Sequence, residues 1–137
     1  MGTRRRAREL ALQLLYQFEL TDASPEDMQA GFEEWHDAGE NVREFADRLL
    51  RGTLDRLALI DEELGHQTTH WRLERLAAVD RNILRLAMFE LIFETETPHA
   101  VVIDEAIEIA KKFGTKDSGR FVNGVLDGFV KRRAAAG

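Results

Sequence analysis

The sequence predicts an all-α fold, a compact bundle of six to seven helices forming one domain over residues 1–137. Three observations carry this. Apolar residues recur at three- and four-residue spacing nearly from end to end, the period of one helix face. Only two prolines occur in 137 residues, so little interrupts long helices. No apolar–polar alternation longer than a few residues marks a strand. The β-branched run Val101-Val102-Ile103 leads straight into a helical register at Asp104, Glu105 and Ala106. A chain of this length is of single-domain size and buries roughly two thirds of its unfolded surface.

The elements follow in order. Thr3 is placed to cap a first helix whose stripe is Ala7, Leu10, Ala11, Leu14, Leu15 and Phe18. Ser24-Pro25-Glu26-Asp27 is a helix start: a serine cap, proline in the first turn, then acids. Met28, Phe32 and Trp35 give that short helix its apolar face, and Gly39 ends the connection. Asn41 with Glu44 resembles a capping box. It opens a long stripe from Val42 through Leu57, which continues or re-forms through Ile60 and Leu64. Gly65 to Thr69 reads as a break, and Trp71, Leu73 and Leu76 as a short turn element. From Val79 to Phe93 the chain is apolar around most of its circumference, which predicts a central helix. Thr95 to Pro98 is a loop. Val101 to Phe113 is the next helix, with Gly114 as its C′ residue. Ser118 caps a last helix carrying Phe121, Val122, Val125, Leu126, Phe129 and Val130.

Composition excludes several classes. The chain has no cysteine, so it holds no disulfide, thiolate metal site or cysteine nucleophile. No apolar run approaches the ~18 residues of a membrane span. Gln13, Gln17 and Glu19 interrupt any signal-peptide core after Arg4-Arg5-Arg6, and the expected location is the cytoplasm. The net charge is −6, but it is unevenly spread. Arg4, Arg5, Arg6 and Arg8 stand at the start with no acid among them. Lys111, Lys112, Lys116, Arg120, Lys131, Arg132 and Arg133 face only Asp117 and Asp127 at the other end. The middle is therefore strongly acidic. Basic ends that meet in the fold would form one patch for a polyanion, most often nucleic acid. Ends that do not meet would be solubilising tails.

Nothing in the chain argues for an enzyme, and no cofactor or metal is expected. Gly114-Thr115-Lys116 lacks the upstream glycine of a phosphate loop. The two serines, Ser24 and Ser118, stand where helix caps belong. His66 and His70 have the spacing of a helical zinc pair, but Gln67 replaces the glutamate and the segment does not read as a helix. Acid pairs such as Glu33-Glu34 are solvated helix faces.

The arginine cluster is more informative. Cations at a helix N-terminus oppose its dipole by about 0.3–1 kcal/mol each before screening. A bound polyanion reverses that sign, and guanidinium both forks onto phosphates and stacks on bases. A second basic cluster, Lys111, Lys112, Lys116 and Arg120, sits beside Phe121 at a loop-to-helix junction, where an aromatic can stack a base. Spacing alone favours core packing with Val125 for Phe121. Tyr16, the one tyrosine, flanks the first stripe as a stacking platform or a half-buried packing residue.

These residues carry a resemblance. Arg4 to Tyr16, Val79 to Leu91, Val102 to Gly114 and Phe121 to Asp127 together resemble, in order, the NusB family of bacterial transcription antitermination factors. The resemblance covers nearly the whole chain, least clearly at residues 20–40. It implies an all-helical protein that binds boxA, a short single-stranded segment of nascent RNA. It implies NusE, a small-subunit ribosomal protein, as partner, and RNA polymerase as the machine on which termination is suppressed, notably in ribosomal RNA operons. By that resemblance the RNA-binding residues are Arg4, Arg5, Arg6, Arg8, Tyr16, Asp80 and Phe121, with Lys111, Lys112 and Lys116 on phosphates. Asp117 falls where RNA and NusE meet. It also revises the reading of Phe121 towards function.

Three competing readings remain at this stage. The fold also occurs fused to ribosomal RNA methyltransferases, but this chain has no room for a catalytic domain. A DNA-binding regulator would use the last helix in a groove, yet that helix keeps Val122, Val125, Leu126 and Phe129 for the core. A protein-binding adaptor would leave the arginines spare. The periodicity does not choose between monomer and homodimer.

Overall fold

The computed structural model describes residues 2–68 and 71–136. Among these it is helical with no strand: α1 Gly2–Thr21, α2 Pro25–Ala30, α3 Glu33–Asp37, α4 Glu40–Asp55, α5 Leu57–Gln67, a 3-10 turn Leu73–Arg75, α6 Ala78–Phe93, α7 His99–Phe113 and α8 Ser118–Ala136. The all-α expectation holds. The helices among the described residues number eight rather than six or seven, because two stripes are each cut once. The chain leaves helical geometry at Gly31 and Phe32, so α2 and α3 share the apolar face of Met28, Phe32 and Trp35. The long stripe breaks at Arg56.

α6 is the axis of the molecule. It packs against α1, α4, α5, α7 and α8, and every residue from Asn82 to Leu91 is buried. Gly52 of α4 permits a close approach: a Cβ there would overlap the Phe89 ring of α6. The charged members of the α6 run are paired across helices. Arg85 donates to Asp61 of α5 at 2.8 Å through both Nε and Nη2, and to Glu19 of α1 at 2.6 Å. Glu90 accepts from Arg8 of α1 at 2.7 and 2.8 Å.

These pairs fix helix directions. Arg8 meets Glu90 while Glu19 meets Arg81, so α1 runs antiparallel to α6. Arg5 meets Glu105 while Glu9 meets Lys112, so α1 and α7 run parallel. The N-terminal turns of α1 therefore lie along the length of α7.

Local signals fared unevenly. Ser24 caps α2 as expected, its Oγ accepting from Asp27 N–H at 3.1 Å. Thr3 and Asn41 lie inside the first turns of α1 and α4 rather than at their caps. α5 runs on through Gly65 to Gln67, so the expected break starts later. Gly114 is extended (φ −98°, ψ −159°) and not left-handed. Its glycine is needed instead because a Cβ would collide with Ser118 Oγ. That hydroxyl turns back to accept from Thr115 N–H at 2.9 Å and closes the α7–α8 corner. No helix among the described residues is long and apolar enough to cross a membrane.

Candidate nucleic-acid interface

The N-terminal arginines meet the first part of the C-terminal basic stretch, at the end of α7, whereas Arg132 pairs with Glu63 of α5 and Lys131 with Asp127 of its own helix. Glu9 of α1 is buried, and both its oxygens accept from the Lys112 ammonium of α7, at 3.1 and 3.2 Å. The same carboxylate accepts from Arg6 at 3.4 Å. One acid thus binds the N-terminal cluster to the end of α7, and Lys116, Asp117 and Arg120 follow at the exposed α7–α8 corner.

The four N-terminal arginines differ sharply. Arg8 is buried, with both ends of its fork on Glu90. Arg5 spends Nε and Nη2 on Glu105 at 2.8 Å each. The hydrogen bonds raise the Arg5 guanidinium above its usual pKa and hold the Glu105 carboxyl below the usual carboxylate range. Arg4 is exposed and lies over the Phe45 ring of α4, 4.0 Å from its centroid. Arg6 points one arm at Glu9 and leaves the rest of its fork open to solvent. Arg5 and Arg8 thus have structural partners that the helix dipole does not reveal, acids of α7 and α6.

On the α7 side, Lys111 makes an exposed contact of 3.4 Å with Glu108, and its stem lies along Gly119 of α8. Such an exposed pair is worth at most about 1 kcal/mol and yields readily to a phosphate. Lys116 is exposed.

Next to the corner lies an open groove. Asp80 from the first turn of α6, Asp117 from the α7–α8 loop and Phe121 from α8 line it together. Trp71, Arg75 and Leu76 form its other wall. Phe121 is half-buried against the core and also lines the groove, so packing does not remove it from the surface. Asp80 Oδ1 is shielded from solvent and has no hydrogen-bond partner among the described residues. Trp71, 62% exposed, reads in the sequence only as part of a turn. An apolar ring outside every helical stripe was the signal for it.

Tyr16 is 42% exposed and stands over a different hollow, with Glu19, Leu20, Leu73, Ala78 and Arg81. There Arg81 grips Glu19 through two bonds of 2.7 and 2.8 Å and also donates to the carbonyls of Leu73 and Leu76. This ties the turn before α6 to α1 and pulls the Glu19 carboxyl down to about 2, chiefly through the Arg81 hydrogen bonds. Tyr16 and Phe121 therefore sit on either side of the α6 entry rather than in one pocket. His66 is exposed at the end of α5, and its sequence partner His70 lies outside the described residues.

A helical bundle that gathers cations from its N-terminus and its α7–α8 corner, beside an acid- and aromatic-lined groove, has the makeup of a helical polyanion-binding protein. Residues 5–131 match the model of the NusB family, and the chain belongs to that family. The transcription antitermination protein NusB of Trichlorobacter lovleyi is 47% identical over 127 residues, covering 93% of this chain and 89% of the relative. Among solved structures, NusB of T. maritima superposes with a TM-score of 0.83 at 43% identity, over 93% of this chain and 90% of that one. A chain from the crystal structure of the antitermination factors NusB and NusE in complex with double-stranded RNA gives a TM-score of 0.85 at 30% identity. It covers 96% of this chain and 98% of that one.

Proposed function

We propose that this NusB-family chain is a transcription antitermination factor. It acts as a single RNA-binding domain in the cytoplasm, and it takes the boxA element of nascent RNA together with NusE. The complex joins RNA polymerase and suppresses termination, notably in ribosomal RNA operons. The observation that carries the reading is the Glu9 junction, which holds Arg6 and Lys112 on one carboxylate at the end of α7, the helix that leads into the corner bordering the groove of Asp80 and Phe121.

Arg4, Arg6, Lys111, Lys112 and Lys116 neutralise phosphates and supply affinity and salt dependence. Phe121 and Tyr16 stack splayed bases, and the Asp80 carboxylate at the groove accepts from a base edge. Arg5 and Arg8 act from behind, fixing α1 against α7 and α6. Asp117 stands at the edge where RNA and NusE adjoin. The acidic remainder of the chain suits a basic ribosomal protein, favouring association rate and partner choice. No step in this function is catalytic.

The test is fluorescence anisotropy of a short labelled boxA RNA, titrated at several salt concentrations with and without NusE. A scrambled strand and an RNA duplex serve as competitors. Salt-sensitive binding that strengthens with NusE and exceeds both competitors is expected. Equal binding to all three RNAs would refute the boxA reading.

A further inference from the structure

We infer that Arg81 is a positioning residue for the groove beside Asp80, holding one wall of that groove from its far side. The inference rests on the function proposed above. Residues 71–78 stand between two hollows. Trp71, Arg75, Leu76 and Ala77 line the groove that contains Asp80 and Phe121. Leu73, Glu74 and Ala78 line the hollow under Tyr16, and Arg81 lines that hollow and not the groove. The Arg81 side chain is 14% exposed. Its Nε and Nη2 donate to Glu19 of α1 at 2.7 and 2.8 Å, and its Nη1 donates to the carbonyls of Leu73 and Leu76 at 3.2 and 2.7 Å. A guanidinium has five N–H donors, so little of this one remains for a phosphate.

The carbonyls that Arg81 holds belong to the wall itself. Leu76 lines the groove while its C=O accepts from Arg81. Leu73 and Leu76 rest on the core, but Trp71 and Arg75 are exposed and take their places from the backbone of the turn. That backbone is a single 3-10 turn, Leu73–Arg75. Its own bonds are Arg75 N–H to Arg72 C=O at 2.9 Å and Leu76 N–H to Leu73 C=O at 3.2 Å. One such turn has poor hydrogen-bond geometry and little stability alone. Among the described residues, Arg81 supplies the side-chain bonds that fasten this turn to α6, and Glu19 fastens Arg81 to α1. The wall is therefore in place before RNA arrives. A wall ordered only on binding would subtract its ordering cost from the affinity.

The experiment compares wild type, Arg81→Gln and Arg81→Lys by hydrogen exchange of the free protein and by anisotropy on boxA RNA across a salt series. Arg85 still meets Glu19 at 2.6 Å, so neither variant strands that carboxylate, and circular dichroism checks the fold. Arg81→Lys keeps the charge and carries the test if Arg81→Gln does not fold. Its ammonium cannot span a carboxylate and two carbonyls as the planar fork does. In both variants the amides of residues 71–77 should exchange about threefold or more faster, with the interior of α8 unchanged. BoxA should bind about threefold or more weaker, at the wild-type salt slope. Combined with Phe121→Leu, the loss should be less than additive, because both changes act on one groove. Wild-type exchange at residues 71–77, or exchange that quickens equally along the chain, overturns the inference. So does wild-type binding in Arg81→Lys, full additivity with Phe121→Leu, or a slope lowered by about 0.7, the mark of a lost phosphate contact. A wild type without boxA preference refutes the proposed function instead, and exchange in the free protein still decides whether Arg81 holds the wall.

Discussion

Arg8 and Glu90 form a two-bond ion pair at 2.7 and 2.8 Å in the interior, their side chains 7% and 2% exposed. The pair joins the first helix to the central one, 82 residues apart in sequence. Arg8→Ala leaves Glu90 charged and unpaired, so it should destabilise the fold by about 3–5 kcal/mol. Replacing both residues with apolar ones of similar volume should cost much less. Urea denaturation of the single and double variants measures this. The salt slope for RNA separates Arg8 from its neighbours. Lys112→Ala should lower the slope by about 0.7, while an Arg8 and Glu90 apolar double variant that folds should leave it near wild type.

The Glu19 carboxyl, lowered to about 2 by the Arg81 hydrogen bonds, makes stability depend on acid. Its folded-state value lies below its ordinary value of 4.5. Its contribution is therefore complete above about pH 4.5 and fades as pH falls towards 2. At neutral pH it amounts to about 2–3 kcal/mol at most. Urea midpoints at intervals from pH 6 to pH 2.5 should fall in that window for wild type. Glu19→Gln should begin less stable and lose less across it. A Glu19→Gln protein with the wild-type pH profile would show that the acid sensitivity resides elsewhere.

Much of this architecture is legible in the sequence where the cause is local or periodic. The all-round apolar run of Val79 to Phe93 marks α6 as the axis because only a surrounded helix has no polar face. Ser24-Pro25 marks the start of α2 because capping needs only neighbours. Which arginines are sealed is not local: the acids that claim Arg5 and Arg8 are Glu105 and Glu90, 100 and 82 residues away. The helix-dipole argument treated four equivalent cations, and tertiary pairing divided them. Gly114 fits a left-handed cap in the sequence, yet its reason is the Ser118 side chain, visible only once α7 and α8 turn on each other. The groove of Asp80, Asp117 and Phe121 likewise joins three elements that no spacing rule connects.

Phe121 supports both the core and the groove, and the two roles are separable by substitution. Phe121→Leu keeps most of the buried volume and loses the ring face. It should change stability by less than about 1.5 kcal/mol but weaken boxA binding about fivefold or more, since stacking is worth about 1–3 kcal/mol per base. The salt slope should not move, because no charge is lost. A Phe121→Leu protein that binds boxA as tightly as wild type would place the base elsewhere.

Trp71 offers a direct report on the groove. Of the two tryptophans, Trp71 is 62% exposed and lines the groove with Phe121, while Trp35 is 9% exposed. Filling the groove removes water from the Trp71 indole and leaves Trp35 unchanged. Tryptophan emission should therefore shift or quench on adding boxA with NusE, saturating with the anisotropy curve. Trp71→Phe should abolish the change while keeping the ring that walls the groove, so binding falls less than threefold. Trp35→Phe should preserve the signal. An emission change that survives Trp71→Phe would mean that binding reaches the α3 side of the bundle instead, and the groove beside Asp80 would lose its role.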